Sequence, residues 1–285
     1  MAAITKCENR PWAHQTASVQ SGKTQPVRID APQDCGRFIS RVIENVDAGA
    51  VTPEWLKQRL QRSGIRSISA LVDIGNYVML ELGQPMHVFD ADKLHGSIIV
   101  RRAENGETLA CLNEKTVTLA DNTLVIADEQ GALSMAGLMG GEESAVSDGT
   151  RNIVLEAAWF APAIIAGKSR QYGFGSDSAF RFERGVDWTL QADAIERATE
   201  LVLQICGGEA GALTEALGQL PVANRVEVRL SRVETLLGVH IEAAQVEAIL
   251  RHLGLSPKAT AEGFSVSAPS FRFDIEIEAD VIEEI

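Results

Sequence analysis

The chain has 285 residues, enough for two domains at roughly 150 residues each. Apolar residues are 45% and charged residues 23%, a globular composition that excludes a disordered chain. With 26 Lys and Arg against 39 Asp and Glu the formal net charge is −13, which excludes a globally basic nucleic-acid coat and leaves room only for local phosphate contacts.

Residues 1–25 are polar and aperiodic and are expected to be an unstructured leader or a cut edge. No apolar run approaches the roughly 18–20 residues that span a bilayer, and the N-terminus lacks a secretory pattern. Cys7, Cys35, Cys111 and Cys206 are far apart and form no CxxC pair. They read as reduced thiols of a cytoplasmic protein, with no membrane partner, rather than a disulfide frame or zinc site.

Residues 38–46 are strand-like. Thr52-Pro53 then predicts a helix start, with Thr52 as N-cap and with Trp55, Leu56 and Leu60 inward, ending at Gly64. A second helix follows Ser67 on the spacing of Ile68, Leu71, Val72, Val78, Met79 and Leu82, and Gly83 ends it. From Ser97 to Phe160 short β-branched runs alternate with turns such as Asn105-Gly106. Helices are expected over 161–171 and from an Asp187 N-cap to Cys206. Residues 209–222 are expected to be a linker. Beyond it, strand, helix, turn, helix, strand outlines a small helix-turn-helix-like domain over 223–285, with a Ser231-x-x-Glu234 capping box. Phe271, Phe273, Ile275 and Ile277 alternate with polar residues as in a strand, and a last helix begins after Ile277, with no C-cap before Ile285. The fold class is α+β.

Four stretches carry candidate chemistry. Asn76 to Asp90 leaves an apolar helix, turns through Pro85 and presents His87, which either packs locally or is aimed into a cleft. His14, His95, His240 and His252 have no comparable context and read as surface residues. The glycines of SMAGLMGGEE let backbone approach a ligand, but match neither a dinucleotide fingerprint nor a phosphate loop. Glu156, inside the apolar run IVLEAAW, either alternates out to solvent or faces a pocket where it needs a partner. In RQYGFGSDSAFRFERGVD, Arg170, Arg181 and Arg184 interleave with four aromatics, a pattern that suits phosphate and base contacts or a basic loop over core aromatics. No Ser-His-Asp or Cys-His order points to a covalent nucleophile. Asp280, Glu283 and Glu284 share a helical face near Asp274; such oxygens suit Mg²⁺, or simply favour a helix N-terminus.

Together, IRSISALVDIGNYVMLELGQPMHVFD, MAGLMGGEESAV, RQYGFGSDSAFRFERGVD and PSFRFDIEIEADVIEEI resemble the beta subunit of bacterial phenylalanyl-tRNA synthetases over about 26–285. The resemblance implies a B3/B4-type mixed α/β editing domain over 26–208 and a truncated B5 domain over 223–285. The family's editing site hydrolyses tyrosine wrongly attached to tRNA(Phe). His87 matches its editing histidine, Glu156 the glutamate that reads the tyrosine hydroxyl, Asn76 a polar pocket residue and Gly140 the pocket wall. Ser176 and Ser178 stand where the family usually has Thr and Ala, and Gly75 where it usually has Thr, so selectivity is open to change. The resemblance places Mg²⁺ at Asp274, Asp280, Glu283 and Glu284, and makes tRNA(Phe) and an ATP-using alpha subunit, in a heterotetramer of two alpha and two beta subunits, the partners. It also implies a fragment, since the family's N-terminal tRNA-binding domains and the regions beyond B5 have no counterpart here, so this chain alone is not expected to aminoacylate tRNA. A free-standing trans-editing deacylase and a non-catalytic tRNA-binding or assembly piece are the alternatives.

Such an editing role has a physical logic. An apolar pocket rejects an analogue with one added hydroxyl by only about 10²-fold, so a second, hydrolytic sieve is useful. A buried carboxyl can bond the phenol of tyrosine, which phenylalanine lacks. Hydrolysis of an activated ester needs a positioned water more than a strong nucleophile, a task expected of His87.

Overall fold

A computed structural model describes residues 16–285; Cys7 and His14 lie outside the described residues. The chain divides after Leu220 into two compact units.

The larger unit is built on two sheets. Strands β1 (Val27–Ile29), β2 (Cys35–Glu44), β3 (Met86–Asp90), β4 (Ile98–Arg102), β5 (Thr108–Ala110), β6 (Thr116–Thr118), β7 (Leu124–Ala127), β8 (Ala132–Met135), β9 (Met139–Gly140), β10 (Ile153–Phe160) and β11 (Glu209–Leu217) follow in chain order. One sheet has the order β11-β2-β10-β3 and is antiparallel throughout. The other runs β1-β4-β7-β8-β9, with only β1 and β4 parallel; β5 and β6 form a separate ribbon.

Strand β10 is buried at every residue because both faces of its sheet are covered. Ile153, Leu155 and Ala157 face a helical layer made by α1 (Glu54–Arg62), α2 (Ala70–Leu82) and α6 (Gln191–Ile205). Val154, Ala158 and Phe160 pack with Ile98, Val100, Leu124 and Ile126 of the second sheet. Glu156, with the same parity as Val154, therefore points between the two sheets rather than to solvent.

Several local expectations are corrected. Helix α1 begins with Pro53 as N-cap, and Thr52 instead donates its hydroxyl to buried Asp73 (2.7 Å). Trp55 is exposed, its ring edge-on to Tyr77 at 5.4 Å. The stretch 161–171 is two short helices, α3 (Pro162–Ile165) and α4 (Lys168–Tyr172), broken at Gly167 in a left-handed conformation. α5 (Asp177–Phe182) follows. Asp187 caps no helix; it accepts the Thr189 N–H, and α6 begins at Gln191. The expected linker is largely strand β11, paired to β2 at the sheet edge. Its alternation of small and polar residues suits an edge, where one side of the ladder stays wet. Residues 16–25 are not a free leader either: Gln20 and Ser21 N–H groups donate to Ala210 O, and Ala17 N–H to Glu196.

The smaller unit has its own core of Val226, Val228, Val233, Val246, Leu250, Phe264, Val266 and Ile282. Strands β12 (Arg225–Arg229), β13 (Ser256–Ala259) and β14 (Gly263–Ser267) make an antiparallel sheet of order β12-β14-β13, joined by α7 (Leu230–Leu237), α8 (Ala243–His252) and α9 (Glu278–Glu283). Helix α7 starts a residue early, so Ser231 lies within it and the predicted capping box does not form. Residues 271–277 form turns rather than a strand. Of their apolar side chains only Ile275 is buried, and Phe271, Phe273 and Ile277 are exposed.

Candidate functional site

Helix α2 stops at Gly83, whose φ of 81° is a left-handed cap conformation that glycine adopts without strain. The buried Gln84 amide donates to Pro85 O (2.8 Å) and Ala158 O (3.0 Å), and itself accepts from Gln191 Nε2 (2.9 Å). This clamp leads the chain directly into β3. At its far end Asp90 accepts the Thr150 hydroxyl (2.7 Å). The rigid β3 sets His87 opposite Glu156 in the β3–β10 pairing, so the two side chains stand on one face as directly opposed neighbours.

Glu156 is also opposite Ser40 on β2. A polar row, Ser40–Glu156–His87, thus crosses three strands, buried at Ser40 and Glu156 and half-buried at His87. Each member has one buried atom without a hydrogen-bond partner: Ser40 Oγ, Glu156 Oε2 and His87 Nε2. Buried polar atoms are normally satisfied, because leaving one bare costs about 1–3 kcal/mol. Here three such atoms stand side by side across the sheet. Ser40 escaped sequence reasoning; FISRV looks like an ordinary strand, and its only signal is a small polar residue on a face otherwise occupied by Phe38 and Val42.

Burial sets the protonation of this row. It pushes the Glu156 carboxyl up to about 8 and the His87 imidazole down to about 4. At neutral pH both are uncharged, so Glu156 can donate as well as accept, and the His87 ring has one nitrogen that donates and one that offers a lone pair. The His87 ring is steadied edge-on against Phe89 at 4.5 Å.

Glu156 and His87, but not Ser40, line a cavity of about 190 Å³ together with Met86, Gly140, Ser176, Ser178 and neighbouring apolar groups. A Cβ on Gly140 would stand 2.7 Å from His87 Cε1 and 2.8 Å from Leu112 Cδ1, so only glycine lets the imidazole lie against this wall. Ser176 caps α5, accepting the Ala179 N–H (3.1 Å) and donating to Leu138 O (2.9 Å); its hydroxyl is already committed to structure. Among the described residues, Ser178 Oγ has only a 4.0 Å contact to Met79 Sδ. Asn76 is not in this cavity. It lines a second, larger one of about 640 Å³, which shares Met86 and His87 with the first.

The remaining candidates behave differently. Arg170 is exposed on α4. Arg181 bonds Asp177 O (2.9 Å), and Arg184 pairs with Glu183 and lies 3.6 Å over the exposed Phe180 ring. Phe182 is core, and the Tyr172 hydroxyl accepts the Ala120 N–H, so Phe180 is the exposed aromatic of that group. The four carboxylates assigned to Mg²⁺ are not gathered into a cation site. Arg272 Nη2 bridges Asp274 (2.7 Å) and Glu284 (2.6 Å), and Asp280 Oδ2 accepts the N–H groups of Glu276 and Ile277 (2.9 Å each) at the start of α9. Among the described residues no group of three or more metal-ligating side chains is placed to hold an ion. The acid-at-a-helix-start alternative describes Asp280, and the residues as arranged do not fit Mg²⁺.

Residues 34–207 match the B3/4 domain family. The chain belongs to that family. Residues 226–285 match the tRNA synthetase B5 domain. The whole chain is 77% identical to the phenylalanine–tRNA ligase beta subunit of Neisseria gonorrhoeae, 74% to that of Neisseria meningitidis serogroup B and 53% to that of Chromobacterium violaceum. In each case all of this chain is covered and 36% of the relative, so the chain spans about a third of the length of these relatives. The resemblance and the α+β, B3/4-then-B5 fold class read from sequence are thereby shown. No helix among the described residues is long and apolar enough to cross a membrane.

Proposed function

We propose that this chain is part of a cytoplasmic phenylalanine–tRNA ligase beta subunit and that its B3/4 unit hydrolyses tyrosyl-tRNA(Phe). The observation that carries the reading is the buried Glu156 with an unpartnered oxygen, set directly opposite His87 on the wall of a small, mostly apolar cavity. An aromatic ring fits such a lining, and a phenol supplies the bond that Glu156 lacks. Phenylalanine would leave Glu156 bare, which costs it about 1–3 kcal/mol relative to tyrosine.

In the reaction a water oxygen adds to the ester carbonyl, the bond to the ribose oxygen breaks, and a proton passes to that oxygen, releasing tyrosine and an uncharged tRNA end. Neutral His87 accepts a hydrogen bond from the water and orients it. With its basicity lowered to about 4 it is a poor general base, so positioning supplies more of its effect than proton abstraction. Arg170, Arg181 and Arg184 are the proposed local contacts to tRNA phosphates. Aminoacylation, with ATP and Mg²⁺, and the alpha subunit in a heterotetramer belong to the proposed whole ligase.

The test is deacylation of tyrosyl-tRNA(Phe) by the 285-residue chain beside a His87→Ala, Glu156→Ala double variant. Faster release by the wild type is expected. Equal rates overturn autonomous editing, and tRNA binding without hydrolysis favours a tRNA-contact role.

A further inference from the structure

The polar row does not end at Ser40. On β11, Thr214 is paired with Ser40, so all four strands of the sheet carry a polar side chain at one level, in the order Thr214, Ser40, Glu156, His87. Thr214 is half-buried at the sheet edge and Ser40 is completely buried; of the four, only Glu156 and His87 touch the inner cavity. Ser40 therefore stands behind Glu156, out of a ligand's reach. A hydroxyl so deeply buried costs stability unless it is bonded, and β2 otherwise places Phe38 and Val42 on this face.

The pairing gives that hydroxyl two neighbours. Side chains directly opposed across an antiparallel pair have Cβ atoms about 4.5–5.5 Å apart, a span that a hydroxyl facing a carboxyl can bridge. Ser40 Oγ and Glu156 Oε2 both lack a partner, and the Thr214 side chain makes no hydrogen bond among the described residues. Rotation of Ser40 about a single bond carries its hydroxyl toward either neighbour. A neutral carboxyl has one oxygen that accepts and one that donates. A hydroxyl given to the accepting oxygen leaves the O–H of the other for the ligand. Bonds aligned head to tail, from Thr214 to Ser40 to Glu156, strengthen one another.

We infer that Ser40 is a positioning residue for Glu156: its hydroxyl donates to Glu156 Oε2, so that the carboxyl meets a phenol in the cavity with its own O–H, as a donor. This role rests on the proposed hydrolytic reading for the identity of the phenol, but not for the contact between the two side chains. A donated hydroxyl favours the ionised carboxylate, so its loss moves the Glu156 titration upward. Two other titratable groups lie near, His87 on β3 and Cys35 on β2. Burial keeps the imidazole neutral above about 4 and pushes the thiol far above its usual range. The facing wall, with Ile126, Ser134, Met135 and Ser178, carries no titratable group, so Glu156 is the group that titrates here between about pH 6 and 10.

The test compares the 285-residue chain with Ser40→Ala, Ser40→Thr and Thr214→Val, each checked for folding by circular dichroism. Hydrolysis of tyrosyl-tRNA(Phe) and of phenylalanyl-tRNA(Phe) is measured, and Glu156 is titrated by NMR of carbon-labelled glutamate carboxyls. Ser40→Ala is expected to lower kcat/KM for the tyrosyl ester by about threefold or more, to leave the phenylalanyl ester unchanged, and to raise the Glu156 midpoint by about half a pH unit. Ser40→Thr keeps the hydroxyl and is expected to restore both. Thr214→Val, at a half-buried site, is expected to move the midpoint the same way by less, and it decides alone should the buried substitutions not fold. An unmoved midpoint, or equal losses on the two esters, would overturn the role of Ser40. A raised midpoint in a chain that hydrolyses neither ester would support the contact and overturn the hydrolytic reading instead.

Discussion

Glu156 shows how position decides the chemistry of a side chain. The same carboxyl on an edge strand would ionise below pH 5. On β10, between two covered faces, burial holds it protonated up to about 8, while His87 stays neutral down to about 4. A folded carboxyl that binds its proton more tightly than the unfolded chain makes stability fall as pH rises between the unfolded value of 4.5 and about 8. His87 acts with the opposite sign between about 4 and 6.5, where the unfolded chain takes up a proton and the folded one does not. The two slopes oppose each other below 6.5, and only the Glu156 loss remains above it. Glu156→Gln removes that loss, so its stability relative to wild type is expected to rise from pH 5 to pH 8 in urea unfolding, and a constant difference would refute a buried neutral acid. Gly140→Ala tests the wall beside it. Exposed Leu112 can yield to a new methyl group, but His87, half-buried and held edge-on against Phe89, cannot without moving from the row. Hydrolysis is expected to drop at least tenfold, with overpacking costing about 1–3 kcal/mol.

At the scale of elements, α2 and β3 act as one device: a helix stopped by Gly83, a loop clamped by Gln84, and a strand that presents His87 inward while Val88 packs under the helices. Gly75 is the weak place in this device. A mid-helix glycine with an unobstructed Cβ position costs about 1 kcal/mol relative to alanine. Gly75→Ala is therefore expected to raise the midpoint of thermal unfolding by a few degrees, as scanning calorimetry would show. A lowered midpoint would mean that the helix needs the missing side chain for another reason. The layer behind is fastened by a buried ion pair, in which Arg41 on β2 grips Glu196 on α6 through two bonds of 2.7 and 2.9 Å. Such a pair fixes how the helix lies on the sheet rather than adding much net stability.

For the whole molecule, the formal charge of −13 limits how tRNA can be held. If Arg170, Arg181 and Arg184 are the phosphate contacts, three neutralised phosphates give a slope of log K against log salt of about −2 to −3. Fluorescence titrations of tRNA(Phe) between 50 and 200 mM salt would check this, and a much steeper slope would mean that other cations carry the binding. The acidic end of the smaller unit contributes to the negative sum, yet Arg272 and the start of α9 engage Asp274, Glu284 and Asp280 internally.

The α+β class, the helix ending at Gly83, the strands between Ser97 and Phe160 and the separate small domain were all legible, because they rest on local periodicity and turn chemistry. His87, Gly140 and Glu156 stood out through a resemblance carried by contiguous motifs. What sequence missed was nonlocal. It mistook β11 for a linker because an edge strand of small and polar residues lacks a hydrophobic pattern of its own and becomes a strand only by pairing with β2. It read a strand into 271–277 because period-two alternation occurs in turns as well. It left Glu156 between two alternatives, and the choice depended on a second sheet brought from elsewhere in the chain to cover that face. Ser40 was invisible for the same reason: three polar side chains distant in sequence become one row only when three strands align, and burial then gives their unpaired atoms a cost that a ligand can relieve.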